Sequence, residues 1–284
     1  MSQLIILACQ VAIPAIANAN ERDRHVRHLV ALITELVLAQ PNVDLVVLPE
    51  LSTVDYSRAS FDRLDELAET LDGTSFQAFA QLAKQHQVAI VFGMPRQELG
   101  NYYISQVVID AQGAYLGHYD KIHIAQFGDS MEKDYFQRGQ HLCVVDIKGV
   151  RLAPIICYDI RIPELTRQLV TEHQVDCILH CGAYARDESF YSWHDFAVTR
   201  AMENQVYCVS LNRAGEHFGE SAFCLPWMDE AQKVVKFAAH EAGFKVLTVD
   251  LEEIKKVRNK YTFLKDRLAG YKALKVVPKL ASKN

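Results

Sequence analysis

Three polar side chains, each at the predicted end of a strand, have the types needed for nucleophilic catalysis. Glu50 follows the mostly apolar strand 44–48, and Cys157 ends the apolar strand 150–157. Lys121 lies just beyond a predicted hairpin. Because α/β sheets gather functional groups at the carboxyl ends of their strands, we expect these side chains to meet. A thiol nucleophile, a carboxylate base and an ammonium group would then share one site.

Cys157 is the predicted nucleophile. At a strand-to-helix turn its thiol faces free backbone N–H groups and the positive end of the helix dipole. A neighbouring lysine is expected to lower its pKa further. The alternative is an inert core cysteine, which is how we interpret the other six. Charged residues directly after Cys157 in a turn distinguish it from them.

Glu50 and Lys121 each have an ordinary alternative role. A carboxylate at the mouth of a buried strand is partly desolvated, which raises its pKa toward the range of a general base. Glu50 could instead be a helix cap or a surface acid, and Lys121 could be one more solvated lysine. Catalytic roles for Glu50 and Lys121 are favoured only when the two residues are considered together with Cys157.

Other catalytic or metal-binding patterns do not occur in the sequence. It has no G-x-S-x-G elbow, no Walker A motif, no G-x-G-x-x-G and no H-E-x-x-H. His173, Cys177, His180 and Cys181 suggest zinc at first sight. On a strand, however, the two cysteines would lie roughly 13 Å apart, too far to share one ion. We therefore predict no metal, with core cysteines and a packed histidine.

Strand patterns and helix patterns alternate along the chain, which predicts a layered α/β fold. The helix over 20–39 would be capped by Asn20. No linker divides the chain, so we expect one domain over 1–284 with a C-terminal tail from about 258. The predicted helices are 20–39, 73–86, 163–172 and 188–204, and the predicted strands are 4–11, 44–48, 88–92, 102–110, 115–118, 142–147, 150–157, 176–180, 206–211, 222–225, 234–237 and 244–250.

Composition excludes several classes of protein. With 30 Lys+Arg against 35 Asp+Glu, the net charge of −5 argues against nucleic-acid binding. Seven cysteines at uneven spacings do not form a disulfide framework and suit a reducing, cytoplasmic setting. No Lys or Arg precedes Arg22, so a signal peptide is not expected. No apolar run is long enough to predict a membrane span.

Together the three segments resemble the nitrilase, or carbon–nitrogen hydrolase, superfamily. The Glu–Lys–Cys triad of that family corresponds to Glu50, Lys121 and Cys157, and its second, structural glutamate corresponds to Glu132. The resemblance extends in order over almost the whole chain, with further matches at Gly182, Ala183, Tyr184, Arg200, Glu203, Asn204, Asn212, Arg213, Arg258, Asp266, Arg267 and Tyr271.

The resemblance implies a four-layer α-β-β-α sandwich, paired in a homodimer or a higher homo-oligomer. It implies hydrolysis of a non-peptide C–N bond in a small amide, with no metal or organic cofactor. Cys157 would attack the carbonyl while Glu50 moves the proton, and a thioester would form. Lys121 and the N–H of Tyr158 would stabilise the oxyanion. Glu132 would hold Lys121 or the substrate.

The residues after Cys157 are similar to the branch that holds ω-amidase and deaminated-glutathione amidase. We therefore expect a carboxylate-bearing amide, with an N-carbamoyl compound or a simple aliphatic amide as the alternative. A non-catalytic or acyl-transferring member is a further alternative, opposed by the intact catalytic set and the lack of membrane spans. The segment Gly182–Tyr184 is expected to bind substrate or the oxyanion.

Several positions depart from the family pattern. We expect none of them to touch the catalytic set, and all of them could reshape the pocket. The departures are Ala153 and Pro154 before the nucleophile strand, Ile162 in place of Phe, Cys181 in place of Pro and Tyr184 in place of Phe.

Arg161, four residues after the nucleophile, has two possible roles. Its planar guanidinium could bind the remote carboxylate of the substrate. The alternative, which the many nearby acids favour, is a structural ion pair with Asp159, Glu164 or Glu203.

Overall fold

The computed structural model describes residues 3–128 and 130–277. In this part of the chain the strands are β1 Gln3–Gln10, β2 Leu45–Val47, β3 Ala89–Glu98, β4 Asn101–Ile109, β5 Tyr115–Asp120, β6 Val145–Ile147, β7 Val150–Ile156, β8 Cys177–Cys181, β9 Tyr207–Leu211, β10 Ala222–Cys224, β11 Val235–Lys236 and β12 Gly243–Asp250. The α-helices are α1 Ala19–Ala39, α2 Arg58–Phe61, α3 Leu64–Leu67, α4 Thr74–His86, α5 Pro163–Thr171, α6 Phe190–Asn204, α7 Leu251–Lys260 and α8 Phe263–Asp266. Short 3₁₀ turns cover Glu132–Asp134 and Cys157–Arg161.

The strands form two six-stranded sheets with the same plan. The first has the order β12-β1-β2-β3-β4-β5 and the second the order β11-β10-β9-β8-β7-β6. In each sheet the three central strands, β1–β3 or β7–β9, run parallel. The strands outside them pair antiparallel. The predicted hairpins β4–β5 and β6–β7 are confirmed.

Alternation along β1 shows how the layers stack. Leu4 and Ile6 pack in the cluster shared with the second sheet, while Leu7 and Cys9 pack in the cluster formed with α1 and α4. Helices α5 and α6 cover the outer face of the second sheet, and Trp193 of α6 is fully buried. The α-β-β-α sandwich expected from the sequence is confirmed.

The cap of the first helix and the start of the C-terminal tail differ from the expectation. Asn18, not Asn20, caps α1, because its side chain accepts a 3.0 Å hydrogen bond from the N–H of Glu21. Position 258 lies inside α7, whose Ile254 and Val257 are buried, so the less buried tail begins after Lys260. The last predicted tail residues, 278–284, lie outside the described residues.

No helix within residues 3–128 and 130–277 is both long enough and apolar enough to cross a bilayer.

Candidate active site

A cavity of about 300 Å³ opens where the carboxyl ends of the central strands of both sheets meet. Cys157 and Glu132 are part of its wall. Glu50 and Lys121 are fully buried, and hydrogen bonds connect both to this wall. The lining residues are Tyr56, Ala125, Phe127, Ser130, Met131, Glu132, Cys157, Tyr158, Arg161, Ala183, Tyr184, Ala185, Asp187, Ser189, His217 and Phe218.

Lys121 is held between two buried carboxylates. Its Nζ lies 3.0 Å from Glu50 Oε1 and 2.5 Å from Glu132 Oε1. Burial disfavours the charged amine, yet the two carboxylates outweigh burial and raise the pKa of Lys121 well above its usual value. The lysine is therefore a fixed cation. Glu132 is fixed in turn by the hydroxyl of Tyr56 at 2.9 Å and the N–H of Ala125 at 2.9 Å.

Glu50 lies in a tight turn directly after β2. The next residue, Leu51, has a left-handed φ of 48°. Gly93 on β3 makes room for this turn, since a Cβ there would lie 2.4 Å from the Leu51 nitrogen. Arg213 donates to the carbonyls of Leu51 and Val54 at 3.2 and 2.9 Å. Gly93 and Arg213 thus hold the turn from two sides, and this fixes the direction of the Glu50 carboxylate.

Two environments act on the Glu50 carboxylate. Its Oε2 accepts a 2.7 Å hydrogen bond from the N–H of Ala183 in the second sheet. Burial raises the pKa of Glu50, and the nearby Lys121 opposes that rise. A raised pKa is what a general base requires.

Cys157 occupies a strained position at the end of β7, with a left-handed φ of 46°. Burial, followed by the negative charge of Glu50, raises the pKa of its thiol well above the usual value. The expectation that Lys121 lowers this pKa was wrong in its net result, because desolvation outweighs the lysine. At rest the Cys157 side chain is therefore a thiol, which would need a base to act as a nucleophile.

Asp159 connects the loop of Lys121 to the turn of Cys157. Its carboxylate accepts hydrogen bonds from the hydroxyl of Tyr119 at 2.8 Å, from the backbone N–H of Ile156 at 3.0 Å and from the backbone N–H of His123 at 3.0 Å. The ring Nδ1 of His123 lies 2.6 Å away. This buried carboxylate therefore fixes the distance between the two catalytic segments.

Tyr184 and His180 both contact the backbone of the nucleophile. The hydroxyl of Tyr184 donates to the carbonyl of Cys157 at 2.7 Å, and Nε2 of His180 lies 3.0 Å from the same oxygen. Tyr184 lines the cavity, as a residue that reshapes the pocket would, but the expectation that it does not touch the catalytic set was wrong. His180 is buried as predicted, but it also binds the nucleophile.

Arg161 lines the cavity and lies between the rings of Phe127 and Phe196, 5.6 and 5.1 Å from their centroids. It donates to Ser192 Oγ at 3.0 Å and to the carbonyl of Ser189 at 3.4 Å. Its Nε is buried without a hydrogen-bond partner.

The three carboxylates proposed as ion-pair partners of Arg161 do not form that pair. The carboxylate of Asp159 is used by the hydrogen bonds given above, and Glu203 pairs with Arg200 at 3.1 Å. In the part of the chain that the structure describes, no carboxylate, that of Glu164 included, lies within ion-pair distance of Arg161. The structural ion pair was therefore the wrong alternative.

The other residues predicted to bind substrate or the oxyanion make different contacts. Tyr158 and Ala183 line the cavity, but the N–H of Ala183 is directed to Glu50. Gly182 donates its N–H to the carbonyl of Leu211 at 2.7 Å. A Cβ on Gly182 would lie 2.7 Å from the Tyr184 ring, so this glycine contributes space for that ring.

Metal coordination finds no support in the geometry. Within residues 3–128 and 130–277, no group of three or more His, Cys, Asp or Glu side chains is arranged to hold a metal ion. Cys177 and Cys181 are free and buried in the core, as are the four other cysteines apart from Cys157.

Sequence reasoning missed Tyr56, and it gave no site role to Asp159 or Arg213. Nothing in the sequence around Tyr56 indicates its contact with Glu132, which is 76 positions away. Asp159 lies two residues after Cys157, and this closeness in sequence could have indicated a role in the site.

Two buried histidines are expected to make the protein less stable in mild acid. Burial lowers the pKa of His25 and of His180 to about 4. In the unfolded chain a histidine titrates near pH 6.5, so below that pH the unfolded state binds protons that the folded state does not. The free energy of unfolding should therefore fall between about pH 6.5 and about pH 4, and these residues should add no further loss below that range. Urea denaturation across this range measures it.

His25→Gln is the matched variant for that measurement. The glutamine amide can keep the 3.0 Å contact with the Ser52 carbonyl and does not titrate. The pH dependence should become shallower, and an unchanged dependence would contradict the assignment to His25.

Known proteins resemble this chain over most of its length. A family model described as carbon-nitrogen hydrolase matches residues 7–259. An (R)-stereoselective amidase of Pseudomonas sp. is 31% identical over 229 residues, 80% of each chain. A 2-oxoglutaramate amidase of Bacillus subtilis is 32% identical over 224 residues, 76% of this chain and 82% of the relative.

A solved structure shares the fold. Nit3 of Saccharomyces cerevisiae, a member of branch 10 of the nitrilase superfamily, superposes with a TM-score of 0.79 at 22% identity, over 91% of this chain and 94% of that one. Because the family model covers most of the sequence and the four layers are those of a nitrilase-superfamily structure, the chain belongs to the carbon–nitrogen hydrolase family of enzymes.

Proposed function

We propose that this enzyme hydrolyses the C–N bond of a small, carboxylate-bearing amide through a thioester on Cys157, releasing ammonia. The observation that carries the proposal is the meeting of a half-buried cysteine, a buried carboxylate and a buried lysine at one cavity that also holds an arginine. The raised pKa values keep Lys121 charged and the Cys157 side chain a thiol at rest, as the chemistry requires.

Acylation begins with the Cys157 thiol and the Glu50 carboxylate. Sγ attacks the amide carbonyl while Glu50 takes the thiol proton, and the carbonyl electrons move to the oxygen. Lys121 Nζ and the N–H of Tyr158 stabilise that oxyanion. When the tetrahedral intermediate collapses, the C–N bond breaks and Glu50 passes the proton to the leaving nitrogen, which departs as ammonia.

Deacylation reverses these roles with water. Glu50 takes a proton from a water molecule as its oxygen attacks the thioester carbonyl. The second tetrahedral intermediate collapses, the C–S bond breaks, and the proton returns to Cys157. The carboxylic acid product leaves. Glu132 acts as a positioning residue in both halves, because it holds Lys121 rather than the reacting atoms.

Arg161 supports the choice of a carboxylate-bearing substrate. It is the cavity-lining guanidinium, it has no carboxylate partner among the described residues, and its Nε is unpaired. The 2-oxoglutaramate amidase relative acts, by its name, on an amide that carries a carboxylate. The (R)-stereoselective amidase relative is an amidase whose name states no carboxylate, so an uncharged amide is the second candidate.

Arg161→Lys tests the carboxylate preference. The variant keeps the charge and removes the planar fork, so KM for glutaramate should rise on the order of tenfold. Pentanamide has the same chain length without the carboxylate, and its kinetics should change little. Steady-state ammonia release measures both substrates.

Arg167→Lys on α5 is the matched control, because that arginine pairs with Glu203 and does not line the cavity. An equal loss for both substrates in Arg161→Lys would remove the recognition role. Efficient wild-type hydrolysis of N-carbamoyl compounds would favour the alternative substrate class, and acyl transfer to an added amine in preference to water would favour a transferase.

We infer a reducing, cytoplasmic setting and a homodimer or a higher homo-oligomer. The seven cysteines are all free, which supports the first inference. The tail exposes Leu268, Tyr271 and Leu274, which supports the second, because a partner would cover this apolar surface.

A further inference from the structure

We propose that His180 and Tyr184 are positioning residues that, by binding the carbonyl of Cys157, direct the backbone N–H of Tyr158 toward the substrate. The inference rests on the proposed function, because it concerns how the oxyanion of that reaction is stabilised.

The carbonyl of Cys157 has two donors. A carbonyl oxygen only accepts, so the hydroxyl of Tyr184, 2.7 Å away, and Nε2–H of His180, 3.0 Å away, must both donate to it. With Nε2 protonated, Nδ1 of the neutral ring accepts from the hydroxyl of Ser210, 2.6 Å away. The carbonyl of Cys157 thus sets the tautomer of His180, and Ser210 satisfies the other ring nitrogen.

The geometry of the peptide bond carries this restraint to the next residue. The C=O of Cys157 and the N–H of Tyr158 belong to one planar trans peptide and point in opposite directions. Two donors fix the C=O on the side of Tyr184 and His180, so the N–H is fixed on the opposite side. Both Cys157 and Tyr158 line the cavity.

The two donors are themselves held rigidly. The ring of Tyr184 stacks on Trp193 with centroids 4.7 Å apart and an angle of 12°. The ring of His180 packs edge-on against Tyr184 at 5.6 Å. Neither side chain can follow a peptide that rotates. The left-handed φ of Cys157, 46°, is a conformation that a non-glycine residue leaves readily unless its surroundings hold it.

This restraint should affect the transition state more than substrate binding. An oxyanion forms only after attack, and a donor already aimed at it need not reorganise. Loosening the peptide should therefore lower kcat and leave KM nearly unchanged. If Tyr184 and His180 only packed the core, their substitution would lower the stability of the protein and would not lower kcat selectively.

The experiment compares Tyr184→Phe, His180→Leu and their double variant with wild type, using glutaramate, or pentanamide if glutaramate is not hydrolysed. Tyr184→Phe keeps the stacked ring and removes one donor, and we expect kcat to fall on the order of tenfold. The double variant should lose about 10²-fold or more. His180→Gln, whose amide can replace the Nε2–H donor, should recover much of the loss seen in His180→Leu.

Reaction of Cys157 with methyl methanethiosulfonate provides the second measurement. The cysteine sulfur attacks the sulfenyl sulfur of the reagent, a mixed disulfide forms and methanesulfinate leaves, so no carbonyl oxyanion arises. The rate of this methylthiolation should match wild type in Tyr184→Phe. Equal losses in methylthiolation and turnover, a rise in KM, or an unchanged kcat would each overturn the positioning role and leave the proposed function standing. Absence of wild-type turnover with both amides would overturn the proposed function and this inference with it.

Discussion

Cys157→Ser is expected to lower kcat for glutaramate by on the order of 10⁴-fold or more while the protein stays folded. A hydroxyl is far harder to deprotonate than a thiol, and the Glu50 carboxylate is a weak base. The substitution removes little volume and places one hydroxyl at the wall of the cavity, so the thermal unfolding midpoint should change little. Ammonia release and circular dichroism measure the two effects.

Cys143→Ser is the matched control. Cys143 is a free cysteine packed against the core and does not line the cavity. Its substitution should leave kcat near the wild-type value.

Iodoacetamide should label Cys157 ahead of the other six cysteines, because only Cys157 is more than slightly exposed. Near-normal hydrolysis by Cys157→Ser would exclude the thioester route.

Lys121→Met is expected to lower kcat by about 10²-fold or more, because it removes a charged donor from the oxyanion. The single variant should also lose several kcal/mol of stability, since it leaves Glu50 and Glu132 buried together without their cation. The loss of activity must therefore be separated from the loss of stability.

The double variant Lys121→Met, Glu132→Gln makes that separation. Removing one carboxylate leaves a single buried acid, so the free energy of unfolding should recover part of its loss. The kcat should stay low, because no cation faces the oxyanion. Glu132→Gln alone is the control, and it should retain more activity than either variant that lacks the lysine. Recovery of kcat together with stability would make Lys121 a structural residue.

Local sequence patterns predicted the layers of the fold but not every boundary. A continuous apolar run such as Leu45–Val47 indicates a strand that is buried on both faces, and this strand is fully buried in the structure. The strand predicted to end at Phe92 continues to Glu98, because the pairing of Pro95 with Ile104 on β4 overrides the proline. The helices α2 and α3 have four residues each, too few to show a period.

The candidate site was predictable where one segment carries its own signal. Cys157 and Glu50 follow recognisable strands, and Lys121 follows a hairpin. Tyr56 and His180 became visible only in three dimensions, since their partners lie 76 and 23 positions away. The pKa of Cys157 was misjudged because the sequence indicates a nearby lysine but not the depth of burial.

The division of the site between the two sheets has a consequence for folding. Glu50 and Lys121 follow strands of the first sheet, whereas Cys157 and Ala183 follow strands of the second. The hydrogen bond from Ala183 to Glu50, which joins the two halves of the site, connects residues 133 positions apart. The first sheet itself closes only when β12 pairs with β1, and Gln3 and Asp250 are 247 positions apart. Because such long loops must close before these contacts are made, enzyme activity should return no earlier than the native tertiary structure when the unfolded protein refolds.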